Sequence, residues 1–191
     1  MPRPILVWAF LTMLVLGLVL EIAEAGEKWG PFRGRIVDVE TGQGIEGAVA
    51  LAIWEKVFPT VAGTMSEFYD VREVVSGPDG RFEIPRREPP FFTLNIREPD
   101  FKVFAPSYAE VRWVVTPESG EALIDPTVIE MRKLRTREER LRNLPSIPTI
   151  FFKADLPRGG IRRVAPRESL ENYLRAINRE EEALNLKPTQ Y

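Results

Sequence analysis

Histidine and cysteine are both absent from the 191 residues. Without either, the chain cannot build a Ser-His-Asp or Cys-His nucleophile pair, a thiolate or imidazole zinc site, a disulfide or a lipid-modified cysteine. Catalysis is left to carboxylates, Lys, Tyr or Ser-Lys pairs, and metal binding to Ca²⁺ or Mg²⁺ held by oxygens. An excess of charge of either sign is missing too. With 26 basic and 28 acidic residues the net charge is −2, which gives no case for nucleic acid as a partner. The 44% hydrophobic and 28% charged residues are ordinary globular usage, and the length suits one domain with appendages.

What is there begins with Arg3, the apolar run Ile5 to Leu20, and small residues at Ala23 and Ala25. This order predicts a secretory signal peptide over residues 1–25, a mature chain starting at Gly26, and a periplasmic or secreted protein. The alternative is an uncleaved N-terminal helix anchoring the chain, although a spanning helix takes about 20 apolar residues and this run stops at Glu21.

Charge then divides the remainder. Gly26 to Met131 holds 11 basic and 18 acidic residues, net −7, while Arg132 to Tyr191 holds 14 basic and 8 acidic, net +6. The break sets a boundary between a domain over 26–131 and an extension over 132–191. The first part carries short candidate strands separated by turn clusters: FRGRIV, AVALAIW, FYDVREVV, RFEIP, FFTLNI, FKVF, AEVRWVV and TVIEM. Phe82 and Ile84 alternate with Arg81 and Glu83, Phe92, Leu94 and Ile96 with Thr93 and Asn95, and Val111, Trp113 and Val115 with Glu110 and Arg112. Such strands bury one face and wet the other, and their number without interleaved helices predicts an all-β sandwich. In the extension, Thr136 and Glu139 form a capping box for a short basic helix stopped by Pro145 and Pro148. A second helix, from about Pro166 or Ser169 to Leu186, lines up Leu170, Tyr173, Leu174, Ile177 and Leu184 on one face. That stripe needs apolar cover, most simply the sandwich.

The string Gly42-Gln43-Gly44-Ile45-Glu46-Gly47 has the G-x-G-x-x-G spacing of a dinucleotide loop. A helix must start inside such a loop, yet Ala48 to Trp54 is a seven-residue apolar run leading to Pro59. The string therefore predicts a turn, with Thr41-Gly42 supplying the positive φ and Gly47 easing entry of the next strand.

Gly34-Arg35-Ile36-Val37-Asp38, Thr41-Gly42, Ile45-Glu46-Gly47-Ala48-Val49 and Ser76-Gly77-Pro78-Asp79-Gly80-Arg81-Phe82 together resemble the carboxypeptidase regulatory-like domain, in its bacterial secreted subset. Trp54, the Val103–Tyr108 element VFAPSY, and the C-terminal LRAINREEEALNL are similar to that subset too. The chain departs from the family pattern with Gly44 where a proline precedes the isoleucine and Ser107 where a glycine precedes the tyrosine. The resemblance implies a transthyretin-like, or prealbumin-like, seven-stranded β-sandwich, and is nearly silent on activity. Zinc peptidase chemistry is excluded by the missing histidines.

Several constellations remain as candidates. Asp38, Glu40 and Asp79 sit at turns, where an Asp before Gly more often bonds its own backbone than Ca²⁺. Trp54 and Tyr69, if both face solvent, form a platform on which sugar rings stack; if buried, they are core. Glu55 to Glu67 reads as a long loop whose Phe58, Val61 and Met65 either cap the sandwich or form an adhesive tip. The basic helix Arg132 to Leu144 either docks on the acidic sandwich or meets an anionic surface. A Lys–Asn crosslink would have to use Asn95 with Lys28, Lys56 or Lys102.

The expectation is a non-catalytic exported binding or interaction module of the bacterial cell envelope, without cofactor or metal. Its partner would be an envelope protein or a polysaccharide, with membrane contact only through an uncleaved signal segment or the basic helix. A carbohydrate-binding sandwich and a carboxylate-based hydrolase are the alternatives.

Overall fold

The computed structural model describes residues 28–61, 63–91, 95–114, 127–145 and 165–188. The expected signal peptide, Phe92 to Leu94 and the side chain of Trp113 lie outside them. Among the described residues seven strands form two sheets: β1 Phe32–Asp38, β2 Val49–Thr60, β3 Gly63–Val75, β4 Arg81–Ile84, β5 Asp100–Phe104, β6 Val111–Val114 and β7 Thr127–Met131. One sheet has the order β4-β1-β7 and the other β3-β2-β5-β6. All pairings are antiparallel except β1 with β7.

Period two explains most of what the strands bury. Phe82 and Ile84 of β4 face inward while Arg81 and Glu83 stay exposed. In β2 the alternation vanishes, because both faces are covered. Ala50, Ala52 and Trp54 point between the sheets with Trp29, Phe32, Ile36, Ile84, Phe101 and Met131. Val49, Leu51 and Ile53 point the other way, into a second core with Phe68, Val71 and Phe104. A continuous apolar run is the signature of a strand buried on both sides.

The cover on that outer face is the C-terminal helix. A 3₁₀ turn, Arg167–Leu170, leads into the helix Glu171–Ala183, and Leu170, Tyr173, Leu174, Ile177 and Leu184 are all buried. The stripe expected from sequence therefore finds its partner in the sandwich, with the Tyr173 ring edge-on to Phe104 at 6.0 Å. The residue at the helix N-cap, Leu170, offers no side-chain hydrogen bond to the first turn. Glu73 of β3 supplies the cap instead, its carboxylate accepting from the amides of Asn172 (2.8 Å) and Tyr173 (2.9 Å). A carboxylate there satisfies free first-turn N–H groups and complements the positive end of the helix dipole. The short basic helix, here α1 (Arg137–Arg142) with the C-terminal helix as α2, begins with the expected Thr136–Glu139 capping box.

The glycine string is a turn, followed directly by strand β2 and not by a helix. Gly42 and Gly47 adopt φ of +67° and +73°. Gly44 answers a different need: a Cβ there would lie 2.1 Å from the Asp79 carbonyl oxygen. Two turns thus pack backbone against backbone, and that close approach, not a pyrophosphate, requires the missing side chain.

Candidate functional site

The expected Trp54–Tyr69 platform is corrected by the packing. Trp54 is fully buried, stacked on Trp29 at 6.1 Å, and its Nε1 donates to the Lys28 carbonyl at 3.0 Å. No face is left for a sugar. Tyr69 is half-buried, its hydroxyl accepts from Arg87 Nη2 at 3.1 Å, and the Arg87 guanidinium and Lys56 Nζ sit over its ring at 4.7 and 4.9 Å. Arg87 also lies over Trp29 at 5.4 Å and pairs with Asp70. The two aromatics are brought to one end of the sandwich, as parts of a cation–aromatic stack that closes it. Trp29, which carries much of this packing, was not singled out in the sequence; a lone Trp near the predicted cleavage point carries no strand pattern.

The long loop expected over Glu55 to Glu67 is instead the continuation of that end. β2 and β3 stay in register from Glu55–Phe68 to Thr60–Gly63, after a shift at Trp54/Glu55. β5 leaves β2 at Ile53, and beyond it Asn95 to Arg97 touch the ribbon, through Val57 N–H to Asn95 O, Arg97 N–H to Glu55 O and the Lys56–Ile96 bridge. From Phe58 onward the arm is two-stranded among the described residues. It holds ten consecutive uncharged residues, Val57 to Ser66, with Val61 wholly exposed and Met65 49% exposed. Phe91, shortly after Arg87 in the chain, is 95% exposed. These side chains are candidates for contact because monomeric surfaces rarely gather large apolar groups in one place.

A second site lies beneath α2. Lys102 faces the covered side of β5, 7% exposed, with Nζ 4.0 Å from Glu110 Oε1 and no hydrogen-bond partner. Burial pulls its amine down to about 8, with Glu110 pulling the other way. Glu110 was expected on a wet face; its carboxylate is buried and accepts from the Tyr173 hydroxyl at 2.7 Å. Asp100, two residues before Lys102, keeps Oδ1 buried without a hydrogen-bond partner, 4.0 Å from Arg97 Nη2, and burial raises its pKa. The helix turned the outward Lys102–Glu110 pair into an interior one.

The remaining charged groups serve as ties. Asp38 accepts from the amides of Glu40 and Thr41 and from the Tyr108 hydroxyl (2.8, 3.1 and 3.1 Å), and Asp79 accepts from Arg81 N–H at 3.1 Å, so both act in turns as expected. Among the described residues no three Asp or Glu side chains gather as metal ligands. Glu180 of α2 is buried and holds Arg140 through two 2.7 Å bonds while accepting from Ser107 N–H at 2.9 Å. Arg137 donates to the Leu184 carbonyl, Arg135 pairs with Glu40 and Arg132 with Glu139. Four cations of the basic segment are thus committed within the protein: Arg140 and Arg137 to the C-terminal helix and the residue after it, Arg135 to the sandwich and Arg132 to its own helix. Of the crosslink candidates, Lys56 lies over Tyr69, Lys102 lies under α2, and the Lys28 amine bonds the carbonyl of Ile96 beside Asn95.

No family model and no curated protein matches the chain. Among solved structures, a 9R-lipoxygenase from Cyanothece is similar over 74% of this chain, at 18% identity and a TM-score of 0.27. This chain spans 23% of that protein's length, and a likeness this weak carries no argument about fold or activity.

Proposed function

We propose that this chain is a non-catalytic, exported interaction module of the bacterial cell envelope, whose working surface is the β2–β3 arm. The observation that carries the reading is the ten-residue uncharged ribbon Val57 to Ser66, held out from the sandwich on a base fixed by Trp54, Tyr69 and Arg87. A rigid body presenting an exposed apolar tip is the arrangement of a binding element, since loops and tips set on a scaffold carry contact while the core supplies stability. The carboxypeptidase regulatory-like, transthyretin-like identity belongs to the same reading. It is supported by seven strands in sheets of three and four, and by Ser107 adopting φ +67° where the family pattern has glycine.

Photo-crosslinking in a bacterial host tests it. A benzophenone side chain at position 61 is expected to capture an envelope component, and one at Val128, exposed on β7, is not. The intact mass of the envelope fraction should begin at Gly26. Recovery of the chain in the cytoplasm, or equal capture from both positions, refutes the proposal.

A further inference from the structure

The protein buries its apolar side chains in two clusters that share no residue. The one between the sheets includes Trp29, Trp54, Phe101 and Met131, and among the described residues nothing after Met131 belongs to it. The other has two halves: Val49, Leu51 and Phe104 on the outer face of the sheet, and Tyr173, Leu174 and Ile177 on the helix that covers them. Lifting α2 would open the second cluster and, among the described residues, take nothing from the first.

The seam between the halves is held by polar ties, and one charge inside it is poorly met. Glu73 caps the helix, Glu110 accepts from the Tyr173 hydroxyl at 2.7 Å, and Glu180 accepts from the Ser107 amide at 2.9 Å. Lys102 of β5 lies among these ties, level with Leu51 of β2, which has Glu73 of β3 on its other side. Glu110 Oε1 stands 4.0 Å from its Nζ, Arg112 and Asp100 are the further charges acting on it, and Tyr173 is the titratable group that α2 brings to Glu110. The amine makes no hydrogen bond. A charge taken out of water with so little return opposes the docking of whatever covers it.

We propose that α2 is a clasp that lifts from the sandwich as a unit while the two sheets stay folded, and that the charge on Lys102 sets how often it lifts. Segments that bury a patch of their own open at free energies below that of global unfolding. The lifted state bares the outer faces of β2 and β5 and returns Lys102 to water. Under the helix the amine titrates at about 8 in place of 10.5. Below pH 8 it is charged in both states, and the closed state bears the penalty. Between 8 and 10.5 the lifted state binds more protons than the closed one, so closure strengthens as pH rises.

Native-state alkylation tests both parts. The chain has no cysteine, and Val49 and Val103 are wholly buried on paired strands, Val49 under α2 and Val103 between the sheets. Val49→Cys and Val103→Cys change side-chain size little, and reaction with dilute iodoacetamide, read by intact mass, reports how often each thiol reaches solvent. Each rate is divided by that of Val128→Cys, exposed on β7, which removes the pH dependence of the thiol itself. The thiol at 49 is expected to react at least about tenfold faster than the one at 103. Its relative rate should fall roughly tenfold from pH 7 to pH 9, and adding Lys102→Met should lower it at pH 7 and abolish the fall. Equal rates at 49 and 103 would mean that α2 leaves only when the whole protein unfolds, and would overturn the clasp. A relative rate at 49 that does not fall towards pH 9, or that falls as steeply in the Lys102→Met background, would overturn the role of Lys102. If either cysteine variant fails to fold, hydrogen exchange on the wild-type protein decides instead. The amides of Glu171–Ala183 must then exchange ahead of those in β2 and β5, and simultaneous exchange overturns the proposal.

Discussion

Replacing Lys102 by methionine should make the protein more stable. The ammonium group is 7% exposed, has no hydrogen-bond partner and lies 4.0 Å from the nearest Glu110 oxygen, so its charge is poorly repaid for the water it loses. An amine held at about 8 in place of 10.5 corresponds to about 3 kcal/mol of disfavoured charge, at 1.36 kcal/mol per tenfold. Methionine keeps the stem's packing against the helix, and Glu110 retains Arg112 and the Tyr173 hydroxyl. Allowing for relaxation, a gain of about 1–3 kcal/mol is expected, which raises Tm by about 3–10 °C for a domain of this size. The pH dependence supplies the sharper check. Below pH 8 the amine is charged in the native and unfolded states, and the native state bears the whole penalty. Between 8 and 10.5 the unfolded chain binds more protons than the native one, so wild-type stability rises with pH. The gap between variant and wild type should therefore be widest below pH 8 and close towards 10.5 in chemical denaturation series. A variant that melts lower than wild type, or a gap that does not change from pH 7 to 10, refutes the reasoning.

Three further outcomes follow from the ties around the helices and turns. Glu180→Ala removes the buried partner of Arg140 and the acceptor of the Ser107 amide, and should cost about 2–4 kcal/mol in urea unfolding. A cycle with Arg140→Ala should show strong coupling, and additive losses would sink the assignment. Gly44→Ala puts a methyl group against the Asp79 carbonyl and should destabilise by about 1–3 kcal/mol, whereas a neutral change would mean the two turns separate easily. Ser107→Gly relieves a left-handed backbone at φ +67° and should stabilise by about 0.5–1 kcal/mol; a loss would show that the serine side chain is needed there.

Local patterning made the sandwich legible. Phe82 and Ile84 alternate with charge and are found inside, and the apolar run at β2 marks a strand covered on both faces. The capping box and the α2 stripe were readable because each is a matter of residues three or four apart on one helix. The candidate site was far less legible. Trp54 and Tyr69 have the same letters whether a ring is open to sugar or covered by Arg87 and Lys56, and the covering residues come from distant positions. Glu55 to Glu67 lacks strict alternation, so it reads as a loop, although pairing with the opposite strand makes it a ribbon.

The chain's own order of residues determined that it has no thiol or imidazole chemistry, that it builds short pleated strands, and that an apolar helical stripe awaits a partner. These follow from side-chain identity and short-range period alone. Which polar groups become interior was decided by tertiary structure. Lys102 on the outer face of β5 and Glu110 just before β6 are buried because α2, some 70 residues later, settles over them. Burial is a property of what lies on top of a residue, and no local period encodes that.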